Sequence, residues 1–193
     1  MTTLIDLAEK HQPDKLLHNY MPAYELLLAP MRHKVKRVLE IGVLDGTSLR
    51  MWADYFPEAE IVGLDIDEDC QKHAGGRISV VIGDQGKRKV RKALGEFDLI
   101  IDDGSHKAAH QIGTFLQMFP AQLNNGGIYV IEDLETPQRR ATRNMLMDLI
   151  ELLHYWPDGM QGRDWKKLNH FPDDAPALSK MILSLHVLSL LHI

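Results

Sequence analysis

Apolar runs of four to six residues recur along the chain, and each ends in an acid or a glycine. The first is Arg37-Val-Leu-Glu-Ile-Gly42; Ile61-Val-Gly-Leu-Asp65, Ile78-Ser-Val-Val-Ile82, Phe97-Asp-Leu-Ile-Ile-Asp-Asp103 and Ile128-Tyr-Val-Ile131 follow. Short apolar runs of this kind predict buried strands. Stretches of helical spacing separate them: 2–12, 15–28, 47–55, 67–74, the crossover around 87–92, 109–119 and 140–154. Pro13 splits the first two, with Asp14 as a candidate cap of the second, and Pro120 is expected to end helix 109–119. The tail, Met181 to Ile193, reads as two short strands in a tight hairpin. Alternating strands and helices with a terminal hairpin predict an α/β fold, a mostly parallel sheet with an antiparallel edge. Residues 155–178 are rich in Pro, Gly, Trp and Asp without clear periodicity, as expected of a lid or binding loop.

The first strand breaks at Gly42 and re-enters a helix at Thr47, the opening βα unit of an open sheet, where ligands bind beyond the carboxyl ends of strands. A dinucleotide turn needs Gly-x-Gly-x-x-Gly, yet Leu44 stands where the middle glycine belongs, and Asp45 would repel a phosphate. Glu40 suits a positively charged ligand. S-adenosylmethionine (SAM), with a sulfonium, an α-amino group and no phosphate, satisfies both features; plain close packing at a Gly-xxx-Gly turn is the other reading. Asp65 follows Gly46 at about the separation that puts a carboxylate on ribose hydroxyls.

Asp102, Asp103, His106, Glu132 and Asp133 gather at the ends of two strands expected to be neighbours. Carboxylates so crowded repel unless protonated or bridged by a cation, and oxygen ligands favour Mg²⁺. The alternative is one acid capping a helix, with Asp102 sent to the opposite face by strand alternation. His106, in a polar loop beside the acids, can accept a proton at neutral pH. His186 and His192, in the expected hairpin, read as structural.

The chain has 193 residues, 45% hydrophobic and 25% charged, with net charge -5. That balance suits one soluble domain and argues against a nucleic-acid partner. The run Lys87-Arg-Lys-Val-Arg-Lys92 reads first as a solvated helix face. A lone Cys70, a start without a signal-peptide pattern and no membrane-length apolar run lead to the expectation of a cytoplasmic protein without a membrane partner.

Leu39-Glu-Ile-Gly-Val, Gly46-Thr-Ser-Leu with Trp52, Ile61-Val-Gly-Leu-Asp65, Asp84-Gln85, Ile101-Asp-Asp-Gly-Ser-His106 and Ile131-Glu-Asp-Leu-Glu-Thr136 together resemble a class I SAM-dependent methyltransferase. More narrowly, they are similar to the Mg²⁺-dependent macrolide-sugar O-methyltransferases and the related cephalosporin-hydroxylase-like group. The resemblance runs from about Asp14 to the final hairpin. It implies a Rossmann-like fold with a seven-stranded sheet, one domain over 1–193, and residues 1–30 covering the cofactor. It implies Asp103, Glu132 and Asp133 as Mg²⁺ ligands and His106 as general base. Asp65 would bind the ribose, Asp84 the adenine amino group, and Gly42 and Gly46 would shape the methionine pocket. Glu40, Thr47, Ser48, Gln85, Asp102, His18 and Tyr24 join the cofactor side. The extra N-terminal domain of some macrolide enzymes has no counterpart here, and the chain is expected to stop at its last strand. The implied activity is methyl transfer to a hydroxyl of a sugar or polyol-bearing small molecule. A catechol-like acceptor, a silent SAM-binding scaffold and an NAD-dependent oxidoreductase are the competing readings. A homo-oligomer is left open.

Overall fold

A computed structural model describes residues 2–134 and 140–153. Five strands form one parallel sheet: β1 (Arg37–Ile41), β2 (Glu60–Asp65), β3 (Ile78–Ile82), β4 (Phe97–Asp102) and β5 (Leu123–Ile131), in the order β3-β2-β1-β4-β5. Six α-helices accompany them: α1 (Leu4–His11), α2 (Met21–Leu28), α3 (Thr47–Tyr55), α4 (Arg88–Ala93), α5 (Ala108–Gln122) and α6 (Arg140–Leu153). The expected terminal hairpin and the loop 155–178 lie outside the described residues.

Both faces of the sheet are covered, which is why its strands read as continuous apolar runs. Alternation sends Val38, Ile61, Leu99 and Ile101 to one face, against Leu4, Met21, Leu28, Trp52 and Phe56 of the N-terminal segment and α3. Leu39, Ile41, Val62, Leu64 and Ile100 go to the other, with Leu94 and Met118. Phe115 with Met145, Leu146 and Leu149 joins α5 to α6.

Several local expectations needed correction. The helix expected over 15–28 is two elements, a 3₁₀ turn at Asp14–Leu16 and α2, separated by Asn19 in a left-handed conformation at φ 55°. Asp14 therefore does not cap α2; its Oδ1 accepts from the Lys15 N–H at 2.9 Å. The segment 67–74 is a 3₁₀ helix, Glu68–His73, started by Asp67. Pro120 lies inside α5, which runs to Gln122. The proline forgoes the bond to the Leu116 carbonyl and crowds it, and the helix runs only two residues further. The strand expected from Ile128 begins earlier, at Leu123, with an irregularity over Asn124–Gly127: Phe97 pairs with Leu123, and Leu99 already with Ile128.

Candidate functional site

A cleft of about 430 Å³ opens at the carboxyl ends of all five strands, centred on the β1–β4 boundary where the winding of the sheet reverses. Its wall is built from Ile41–Asp45 after β1, Leu64–Ile66 after β2, Gly83–Gln85 after β3, Asp103–Lys107 after β4, and Glu132 and Asp133 after β5. Asp14, Lys15 and His18 close it from the N-terminal segment, and Thr47, Ser48 and His110 complete it.

The turn after β1 is held by its neighbours. Asp65 Oδ2 accepts from the Val43 N–H at 2.7 Å and the Leu44 N–H at 3.4 Å, and its Oδ1 from the Asp67 N–H at 2.9 Å. Burial raises the Asp65 carboxyl, but these backbone donors outweigh it and hold the group below the usual carboxylate range. Gly42 adopts φ 96°, and a Cβ there would press into the Asp103 carbonyl. Leu44 takes φ 51°, is 71% exposed, and offers no glycine-like path for a pyrophosphate. Asp45 Oδ1 accepts from the Thr47 N–H at 3.0 Å, so the amino end of α3 already carries a carboxylate. Both features disfavour the dinucleotide reading.

The acids sort by face. Asp102 points away from the cleft, fully buried; its Oδ1 accepts from Gln85 Nε2 at 2.6 Å, and burial pushes its carboxyl up to about 7. The structure thus corrects its expected place on the cofactor side. Gln85 is likewise a staple between two loops: its Oε1 accepts from the Ser105 N–H at 3.1 Å, and its carbonyl accepts from Arg91. Arg91, turned inward, also donates to Gln117 Oε1 at 3.0 Å, so the basic run is not wholly a solvated face.

Asp103, His106 and Asp133 bring one ligand atom each within 4.8 Å of one another, with His106 Nε2 3.8 Å from Asp133 Oδ2. His106 and Asp133 both hold left-handed backbones, φ 53° and 58°. Three of the five non-glycine residues with positive φ among the described residues, Leu44, His106 and Asp133, line the cleft; local strain is concentrated there. Glu132, expected with the metal ligands, is turned to the N-terminal segment, where it accepts from the Tyr24 hydroxyl and faces Lys15 Nζ at 3.1 Å. Tyr20 donates to Asp133 Oδ1 at 3.0 Å.

Glu40 is fully buried behind the cleft, accepting from Ser48 Oγ at 2.6 Å with Lys15 Nζ 3.1 Å away. Burial raises the carboxyls of Glu40, Asp103 and Glu132, the last to about 8, against the opposing pull of Lys15. One ammonium does not neutralise three crowded acids; protonation relieves them in part, and a divalent cation would relieve them further. Oxygen donors plus one imidazole fit Mg²⁺ or a similar ion.

Among the residues expected at the site, Gly42, Thr47, Ser48, Asp65, Asp84, Gln85, His18, Asp103, His106, Glu132 and Asp133 line the cleft; Glu40, Gly46, Tyr24 and Asp102 stand behind it. Asp84 accepts from the Gly86 N–H at 2.7 Å. Lys15 and His110 received no role from the sequence. His110 Nδ1 lies 2.8 Å from Ser105 Oγ, and its place four residues after His106, in the first turn of α5, was a readable signal. Lys15 carried none, since its partners lie 25 to 117 positions away in the chain.

No family model matches the chain. It is 42% identical to an 8-demethyl-8-alpha-L-rhamnosyl tetracenomycin-C 2'-O-methyltransferase of Streptomyces olivaceus, over 69% of this chain and 38% of the relative. A 3'-O-methyltransferase of the same organism, acting on the 2-methoxy-rhamnosyl compound, is 39% identical over 77% of this chain and 44% of the relative. Among solved structures, the MycE methyltransferase of the mycinamycin pathway in complex with Mg and SAH (S-adenosylhomocysteine) superposes with a TM-score of 0.70 at 32% identity, covering 82% of this chain and 48% of that one. The chain therefore spans 38% to 48% of the length of these relatives. With this sheet order, this cleft and these similarities, the chain has the fold of the class I SAM-dependent methyltransferases, and the relatives it matches are natural-product sugar O-methyltransferases.

Proposed function

We propose that this chain is a SAM-dependent, Mg²⁺-assisted O-methyltransferase acting on a hydroxyl of a sugar or other polyol-bearing small molecule. One observation carries the reading: the cleft that suits the cofactor shares its floor with Asp103, His106 and Asp133, so a methyl donor and a cation-bound hydroxyl would meet there. The relatives' names and the MycE complexes with Mg, SAH and mycinamycin VI support the same chemistry.

SAM would supply an electrophilic methyl on its sulfonium. Asp103, Asp133 and Glu132 would hold a divalent cation, whose Lewis acidity would make an acceptor hydroxyl more acidic. Asp65 and Asp84 would receive the ribose and the adenine amino group, and the Gly42–Gly46 turn would border the methionine end. His106 Nδ1 is buried without a partner, so Nε2 is the nitrogen that works. It would accept the acceptor hydroxyl's proton as that oxygen takes the methyl group, and Asp133, 3.8 Å from it, would stabilise the resulting imidazolium. Positioning and charge neutralisation would provide most of the acceleration.

The same proposal takes residues 1–193 as one cytoplasmic domain. It needs no nucleic-acid or membrane partner, and no helix among the described residues is long and apolar enough to cross a membrane. A homo-oligomer remains compatible with it. The test is incubation with SAM, MgCl₂ and a panel of rhamnosylated and other glycosylated polyketides, followed by mass spectrometry. Gain of one methyl group and release of SAH, both abolished by EDTA, are expected; absence of SAM binding, or transfer indifferent to EDTA, would sink the reading.

A further inference from the structure

Glu40, Asp103 and Glu132 stand at the ends of three different strands, and one ammonium touches all three. Lys15 Nζ lies 3.1 Å from Glu40 Oε1, 3.1 Å from Glu132 Oε1, and in a short hydrogen bond with Asp103 Oδ2. Glu40 belongs to the cofactor side through Ser48, in the first turn of α3. Asp103 and Glu132 belong to the cation side. The lysine is 1% exposed, so its stem cannot swing aside without moving the turn Asp14–Leu16 that walls the cleft. The ammonium engages one oxygen of Asp103 and one of Glu132, leaving each a second oxygen for a cation, while the other oxygen of Glu40 accepts from Ser48.

We propose that Lys15 is a positioning residue that couples the two halves of the site, holding Asp103 and Glu132 in register with Glu40 so that cofactor and cation favour each other's binding. The inference rests on the function proposed above. A shift of Glu40 as the cofactor seats is carried by the ammonium to both cation-side acids. Tyr24, donating to the Glu132 oxygen that Lys15 also faces, ties the same acid to α2 and limits its freedom to respond alone.

The test is a linkage measurement on the full chain. Mn²⁺ binding is read by electron paramagnetic resonance with and without saturating SAH, and SAH binding by calorimetry with and without Mn²⁺. Linkage requires both routes to return the same coupling factor, expected at about fivefold or more in the unaltered protein. Lys15→Met should bring the factor close to one, and Lys15→Arg should restore part of it. Because Lys15→Met strips three buried acids of their cation, Glu40→Gln serves as the second variant. It leaves Lys15 on Asp103 and Glu132, and should also bring the factor close to one. A factor near one in the unaltered protein, or one that persists in a folded Lys15→Met or in Glu40→Gln, overturns the proposal while the function stands. Failure of the unaltered protein to bind either ligand overturns the function, and this inference with it.

Discussion

A Cβ placed on Gly42 would sit 2.9 Å from the carbonyl carbon of Asp103 and closer still to its oxygen. The cofactor turn and the first of the cation-side acids are therefore packed backbone against backbone. Gly42→Ala meets two penalties, a left-handed φ of 96° and this collision. We expect a loss of roughly 2–5 kcal/mol of stability, visible as a lowered thermal midpoint, with SAH affinity falling in parallel. An unchanged midpoint would show that the loop after β4 can retreat freely.

Asp65 has two tasks, since it pins the turn through the Val43 and Leu44 amides while facing the cleft. Asp65→Ala should weaken SAH binding by roughly 1.5–3 kcal/mol, the scale for hydrogen bonds to a charged group. Calorimetry decides this, and affinity equal to the unaltered protein would remove Asp65 from the cofactor site.

His106 and Glu132 should separate in their effects. His106→Ala is expected to lower kcat by roughly 10²–10⁴-fold, the range for loss of a general base, while Mn²⁺ still binds. Glu132→Ala should lower cation affinity and turnover together. Loss of Mn²⁺ binding in His106→Ala would instead make the imidazole a ligand, a role its nearness to Asp103 and Asp133 permits.

Asp102 predicts a pH signature. Burial raises its carboxyl from 3.8 to about 7 in the folded protein. The native state then holds a proton that the unfolded chain gives up, so the contribution to stability is whole below pH 4 and is lost as the pH climbs through 7. Asp102→Asn keeps an acceptor for Gln85 and removes the titration. Its thermal midpoint should exceed that of the unaltered protein at pH 8 and show little gain at pH 4; equal differences at both would contradict the buried acid.

Much of this was legible in the chain, for physical reasons that differ by element. β1, β3 and α3 match their expected bounds: burial on both faces makes β1 nearly uniformly apolar, Gly76 and Gly83 bracket the edge strand β3, and Gly46 and Pro57 punctuate the helix. Alternation correctly placed Asp102 and Asp103 on opposite faces. Asn19 and Pro120 defeated local rules, one by entering a left-handed conformation that breaks a helical pattern, the other by lying two residues inside the helix it was expected to end. Lys15 was invisible as a partner of the acids. Nothing in its neighbourhood of sequence announces a contact with Asp103, 88 residues away.

The reversal of winding between β1 and β4 also divides labour in the molecule. Everything that would recognise the donor hangs from β1, β2 and β3, on one side of the seam, while the groups that would meet the acceptor hang from β4 and β5, on the other. Acceptor preference can therefore drift through the loops after β4 and β5 while the donor pocket stays as it is. The contacts that cross the seam, among them Gly42 on Asp103, Gln85 on Asp102 and Ser105, and Lys15 on its three acids, would constrain that drift, and they are the positions where a redesigned acceptor site has the least freedom.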